Sequence, residues 1–410
     1  MPLVFSHIAT STPWQTEIAV INTVDQTVTG TLRALSDSGD LVDTEAVMLS
    51  AHGRRQINVA DTFTNHTNIG YIIFESDSDT TQGYTKFYVN GTYRAAVAAV
   101  RAVNTLNIYI PHIASDTAWW TGIGLVNTTS TAKDLTITFS DGRTRTLTLN
   151  ANAHKAFDIA SLFGNKPQPG IQSAVITNAG GVIGLELFGS SGWSTQLEGI
   201  LLTDNNTWTL YYPHVAGGEW WTGIVAYNQS DSAGTITITP YSEQGALLST
   251  STLPIGGKGK YVGAVSALGL PGETAWFRID ATWPLSGFEL FGTTDGSKLG
   301  AYAGGGGTGA TSGILAKIEK SGWTGIVFVN TEADAATVTL TAYDDDGGVV
   351  ATRVLPPIDG HAKVVNNPQS IFTQDIGSAT YIAYTSDRNV VGFQLNGSAD
   401  GTMLDGLPGM

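Results

Sequence analysis

Strict alternation of apolar and polar residues dominates this chain. It is clearest in DLTITFS (134–140), TITITPY (235–241) and TVTLTAY (337–343), where threonines occupy one face and Ile, Val, Leu or Phe the other. A period of two places successive side chains on opposite sides of a strand, so each segment predicts a strand with one face buried. Turn signals follow every 8–12 residues, and no 3.6-residue apolar stripe is sustained, which predicts an all-β fold. Short helical turns are expected only at VADTFTN (59–65), IASLFGN (159–165) and VSALGLPG (265–272), where the chain crosses between sheets.

The strands recur in a fixed order. TEIAVINT (16–23), TGIGLVNT (121–128), TGIVAYNQ (222–229) and TGIVFVNT (324–331) share an asparagine, at Asn22, Asn127, Asn228 and Asn330, spaced by 105, 101 and 102 residues. A fixed period of this kind marks tandem copies of one unit. After the asparagine comes a threonine-rich strand, then an acidic glycine turn: SDSGD at Ser36, SDG at Ser140, SEQG at Ser242 and DDDGG at Asp344. A second strand, a Gly- or Ala-rich corner (VMLSAHG, LTLNANA, STLPIGG, VLPPIDG) and two further strands complete each copy. The last strand reads LELFGS at Leu185, FELFGT at Phe288 and FQLNGS at Phe393, with only a degenerate KFYVNG at Lys86 in the first copy. The expected domains are 1–104, 105–206, 207–309 and 310–410, each a β-sandwich of about seven strands and about 100 residues. The run AGGGGTGATSG from Ala303 reads as a linker by composition.

The order xHxA, W-T-x-I-x-V-x-N, acidic glycine turn, L-x-x-x-G corner and G-F-x-L-F-G strand resembles the tandem immunoglobulin-like β-sandwich repeats of secreted and cell-surface bacterial proteins. The likeness spans all four copies. It implies an immunoglobulin-like sandwich fold, and its motifs concern packing and turns rather than chemistry.

Composition narrows the function classes. Charged residues are 13% of the chain and the net charge is −15. A phosphate backbone would be repelled, and no basic stripe with interleaved aromatics is present, so nucleic-acid binding is not expected. With no cysteine, disulfides, thiolate zinc sites and a cysteine nucleophile are excluded. The low lysine content and the abundance of threonine and asparagine point outside the cell. No apolar run approaches the roughly 20 residues of a membrane helix, and MPLVFSHIAT lacks the n- and h-regions of an export signal. A soluble extracellular or cell-surface chain is expected, without membrane insertion.

One phrase could carry chemistry. PHIASDTAWWTG (111–122) and PHVAGGEWWTG (213–223) each set a histidine before a tryptophan pair. The candidate binding residues are therefore His112, Trp119, Trp120, His214, Trp220 and Trp221. Indole faces beside an imidazole suit a sugar or peptide platform; the structural alternative is a packing signature copied with the domain. Adjacent tryptophans in a strand face opposite ways, so one of each pair is expected to fill the core. The first copy has His7 with Trp14 alone, and the fourth has Ala316-Lys317-Ile318 and Trp323.

The repeated asparagines are expected to form Asx turns. Glu186 and Glu289 occupy matching mid-strand positions, with Gln394 in the fourth copy, and are expected to face solvent. One glutamate per copy does not supply the paired carboxylates of a glycosidase. Asp344-Asp345-Asp346-Gly347-Gly348 lacks the spaced ligands of a calcium loop and reads as a hairpin turn. No H-x-x-x-H, H-E-x-x-H, G-x-S-x-G, Walker or dinucleotide motif is present, so no catalytic residue, metal or cofactor is expected. The sequence thus suggests a non-enzymatic structural, surface-layer or adhesion protein of bacterial origin, self-associating through sheet edges or an unpaired first strand LVFSHIA. A carbohydrate-binding array using the exposed His and Trp positions is the alternative.

Overall fold

The computed structural model describes residues 1–410 except 92, 192–195, 203–206, 297, 304, 307–308 and 402. It is an all-β molecule of paired antiparallel sheets, with 54% of residues in strands and 5% in helix. This architecture is compatible with tandem β-sandwich domains. The chain divides into two compact units, Met1–Asp204 with Asp345–Gly348, and Asn205–Asp344 with Val349–Met410. The expected boundary at 206, and Gly304, Gly307 and Thr308 of the glycine run, lie outside the described residues.

In the first unit, repeat 1 contributes two four-stranded sheets. One runs Leu3–Phe5, Tyr71–Ser76, Val28–Leu35, Leu41–Leu49; the other runs Arg54–Asn58, Trp14–Ile21, Gln82–Val89, Tyr93–Ala98. Their inward side chains form a core that includes Phe5, Ile18, Val20, Leu32, Ile72 and Phe74. Repeat 2 has the same arrangement. Trp119–Asn127 lies between His154–Asp158 and Val182–Ser190, and Lys133–Phe139 between Thr144–Leu149 and Ala174–Thr177.

In the second unit a single 18-residue strand serves both sheets of each repeat: Trp276–Thr293 in repeat 3 and Tyr381–Ser398 in repeat 4. Of the glycine run, Gly305–Gly306 pair with Leu210 and Tyr211, and Ala310–Leu315 pairs with the long strand of repeat 4. The first strand is paired too, contrary to the sequence expectation. Leu3, Val4 and Phe5 stand opposite Phe74, Ile73 and Ile72, because all three side chains are buried and need that sheet.

The local signals act as expected. Helical turns form at Val59–Thr62, Ala160–Phe163 and Val265–Leu268, with others at His66–Asn68 and at Pro368–Ile371, the latter capped by the Asn367 side chain. Each acidic turn holds one glycine at positive φ: Gly39, Gly142, Gly245 and Gly347. That backbone strains any residue with a Cβ.

The repeated asparagine is fully buried in all four copies. Asn127 Nδ2 donates to the carbonyls of Thr131, Leu149 and Asn150, and its Oδ1 accepts from the Thr129 amide. Asn330 repeats this with Asp334, Ile358, Asp359 and Glu332. The side chain is thus an Asx turn and also a tie to the following corner. Asn127→Ala strands three carbonyls and one amide and should cost about 2–4 kcal/mol in chemical denaturation. Exposed Asn68→Ala should change stability by under about 0.5 kcal/mol.

Candidate functional site

Each repeated phrase is held by a staple between its two halves. The Thr16 hydroxyl accepts from the Ala9 amide and donates to the Ala9 carbonyl, and Thr121 does the same with Ala114. Thr222 accepts from the Ala216 amide, and Thr324 from the Glu319 amide. The alanine of xHxA and the threonine of W-T-G are therefore one structural device, which aligns His7, His112, His214 and Lys317.

The second tryptophan does not enter the core. Trp119, Trp120, Trp220 and Trp221 are all half-buried, which corrects the expectation that one of each pair fills the interior. Trp120 lies over Gly122 and Gly189, Trp221 over Gly223 and Gly292, and Trp323 over Gly325 and Gly397. The glycine two residues on and the glycine directly across on the last strand leave a flat bed for an indole. The core positions of the strand belong instead to residues such as Ile123 and Ile224, both buried. In repeat 1, Gln15 stands opposite Tyr88 and that bed is absent.

His7 and His214 lie at a head-to-tail joint that occurs once within each unit. In the first, His7 Nδ1 is 3.1 Å from His154 Nε2, and His154 Nδ1 is 2.7 Å from the Asp37 carboxylate. In the second, Lys363 Nζ donates to His214 Nδ1 at 3.1 Å and to the Ala275 carbonyl at 2.6 Å. His154 and Lys363 are equivalent, each following the alanine whose carbonyl receives the asparagine amide. Their own amides bond the carbonyls of Asp37 and Glu243, the acidic residues of the preceding repeat's turn. Tyr71 and Trp276 reach the next corner alike, donating to the carbonyls of Asn152 and His361.

Apolar contacts complete each joint. Phe87, Val89 and Val97 pack on Leu185, Leu187 and Leu197 in one, and Tyr211, Trp276 and Phe291 pack on Val327, Val329 and Phe393 in the other. Burial lowers the His7 pKa to about 3, with help from His154, and burial also takes His214 to about 3. Lys363 falls to about 8 through desolvation, partly opposed by Glu289 and Glu243.

Beside each joint is an open cleft with equivalent lining. The first, about 500 Å³, is formed by His7, Ala9, Trp14, Trp120, Leu185 and Leu187, with Asp158 and Ser191 at its margin. The second, about 420 Å³, has His214, Ala216, Trp220, Trp323, Phe393 and Leu395. Trp14 meets Trp120 edge-on at 6.3 Å, and Trp220 meets Trp323 edge-on at 6.5 Å. Of the candidates from sequence, Trp120 lines the first cleft and His214 and Trp220 the second, whereas His112, Trp119 and Trp221 line neither. His7, Trp14, Trp323, His154 and Lys363 were not singled out as binding residues. The break in the phrase at each end of the array was their only sequence signal, because the joint draws on different positions of adjacent repeats.

The mid-strand glutamates also depart from expectation, since Glu186, Glu289 and Gln394 have no exposed surface. Each stands opposite an inward isoleucine: Ile123, Ile224 or Ile326. Gln394 bonds both the amide and the carbonyl of Lys317, and Glu289 reaches the amide of the equivalent His214. Burial raises the Glu289 pKa well above the usual carboxylate range, while Lys363 and the His214 amide pull the other way. Among the described residues no group of three or more His, Cys, Asp or Glu could hold a metal ion.

No family model matches the chain, and no curated protein is similar to it. Among solved structures, protein 1070 of Thermotoga maritima is 16% identical over 26% of this chain and 99% of its own, with a TM-score of 0.22. The Sulfolobus turreted icosahedral virus structure is 12% identical over 76% of this chain and 87% of its own, with a TM-score of 0.16.

Two pH effects follow. His7 and His214 accept protons more readily unfolded than folded, so stability should fall as pH drops from about 6.5 to about 3. His7→Gln should flatten that slope in denaturation measured across the range. Glu289 behaves oppositely: its raised pKa means the native state holds the proton longer, so its contribution is full below about pH 4.5 and erodes as pH rises. Glu289→Gln, which installs the residue repeat 4 already uses, should raise the melting temperature at pH 8 and leave it nearly unchanged at pH 4.

Proposed function

We propose that this chain is a non-enzymatic structural or adhesion protein of the bacterial cell exterior, built of four immunoglobulin-like sandwich domains at 1–104, 105–206, 207–309 and 310–410. The observation that carries the reading is the fate of the repeated polar residues. His7, His214, Lys363, Thr16, Thr121 and the four asparagines are committed to staples and joints that fix strands and neighbouring repeats. Residues that hold a frame in place serve a protein whose task is shape and spacing. Surface charge is sparse and no thiol is present, which suits an exposed, oxidising setting.

Self-association through sheet edges belongs to the same proposal. Leu41–Leu49 ends its sheet in repeat 1 and presents Leu41 and Met48, 53% and 76% exposed. An edge strand with unpaired backbone groups and apolar side chains is a template for another chain. Light scattering and electron microscopy of the full chain should show concentration-dependent assemblies. Leu41→Lys with Met48→Lys should return the protein to monomers with an unchanged circular dichroism spectrum. A strictly monomeric protein at all concentrations, or hydrolytic turnover abolished by His214→Ala, would overturn the proposal.

A further inference from the structure

Beyond a structural role, the two clefts have diverged in a way that packing alone does not require. They share a plan, residue for residue: His7 with His214, Trp14 with Trp220, Trp120 with Trp323, Leu185 with Phe393, and Leu187 with Leu395. In the second unit Val327 and Val365 line the cleft; in the first, the corresponding residues are Gly124 and Ala156. The first cleft is therefore larger, and among the described residues it alone has a carboxylate and a hydroxyl in its lining, from Asp158 and Ser191.

The polar groups of this cleft are arranged to accept hydrogen bonds. Asp158 Oδ1 takes the Ser161 amide, and among the described residues no protein group bonds Oδ2. With His154 Nδ1 donating to Asp37, its Nε2 accepts from His7 Nδ1–H, so the network leaves His7 Nε2 as an acceptor. The remaining lining is indole, phenylalanine, leucine, isoleucine, alanine and glycine, with no lysine or arginine among the described residues. A carboxylate in the cleft and a net charge of −15 repel anionic ligands. The occupant must bring hydroxyl donors and apolar ring faces, and a volume near 500 Å³ lies in the range of small-ligand sites.

We propose that the cleft formed by His7, Trp14, Trp120 and Asp158 binds a neutral saccharide, with a sugar ring against the tryptophans and hydroxyls donating to Asp158 Oδ2 and His7 Nε2. The cleft of the second unit, narrowed by Val327 and Val365, does not.

The test is calorimetric titration and ligand-observed NMR of the full chain with neutral gluco-, manno-, galacto-, xylo- and N-acetylglucosamine oligosaccharides, with galacturonate oligomers and choline as comparators. One neutral oligosaccharide should bind at one site per chain. Gly124→Val with Ala156→Val copies the second cleft's lining and should weaken binding at least tenfold. A Cβ at Gly124 would sit 3.5 Å from His7, an ordinary contact, and the melting temperature measured alongside separates filling of the cleft from disturbance of the joint. Asp158→Asn, which keeps an oxygen to accept the Ser161 amide as Asn58 and Asn367 accept amides at their helical turns, should weaken binding about fivefold through loss of the charge-assisted bond. Val365→Ala in the other cleft should change nothing. Failure of every neutral saccharide at millimolar concentration, preference for galacturonate or choline, or affinity untouched by the filling variant would each overturn the proposal.

Discussion

Everything in each repeat hangs on one strand pinned at both ends by a buried side chain. At its start, a threonine hydroxyl closes on the backbone of the residue three after the serine or proline that opens the phrase in repeats 1–3. At its end, an asparagine with no exposed surface bonds the corner between the next two strands. Buried backbone groups must find partners, and these two side chains supply them where the sheet ladder runs out. The strand in between is free to vary: I-A-V-I, I-G-L-V, I-V-A-Y and I-V-F-V all occur.

From that fixed strand follows the joint. The residue after the corner alanine, held by the same asparagine, meets the histidine and the acidic turn of the preceding repeat. The contact is heterologous: one repeat offers its histidine, acidic turn and aromatic end, and the next offers the outer face of its sheet. Because the two halves lie on different parts of the domain, each can drift separately. His154 in one joint and Lys363 in the other occupy the same place with different chemistry, and both leave the partnering imidazole desolvated.

The same logic explains the buried glutamates. A carboxyl facing inward beside a backbone amide is tolerated as the neutral acid, and Gln394 shows the amide version of that arrangement. A position that looks unsuitable for a charge is thus a hydrogen-bonding position that accepts either residue, with pH sensitivity as the consequence of choosing glutamate.

By itself the sequence determined the strands, the turns, the repeat period and the role of the asparagine, because those depend on interactions between near neighbours. Alternation fixes which face is apolar, and a positive φ demands glycine in each acidic turn. Even the helical turns at Val59, Ala160 and Val265 were legible, since capping and periodicity are local. What only the tertiary structure decided was where the conspicuous side chains went. One tryptophan of each pair was expected in the core, yet none of the four is fully buried, and Trp120 and Trp221 rest on glycines contributed by a strand some 70 residues later. Glu186 and Glu289 were expected outside and lie inside, because the face of a strand that counts as interior depends on which sheet lies across from it. The clefts combine His7 with Trp120 and His214 with Trp323. No pattern within one repeat encodes such pairs, for they arise only when two folded surfaces meet.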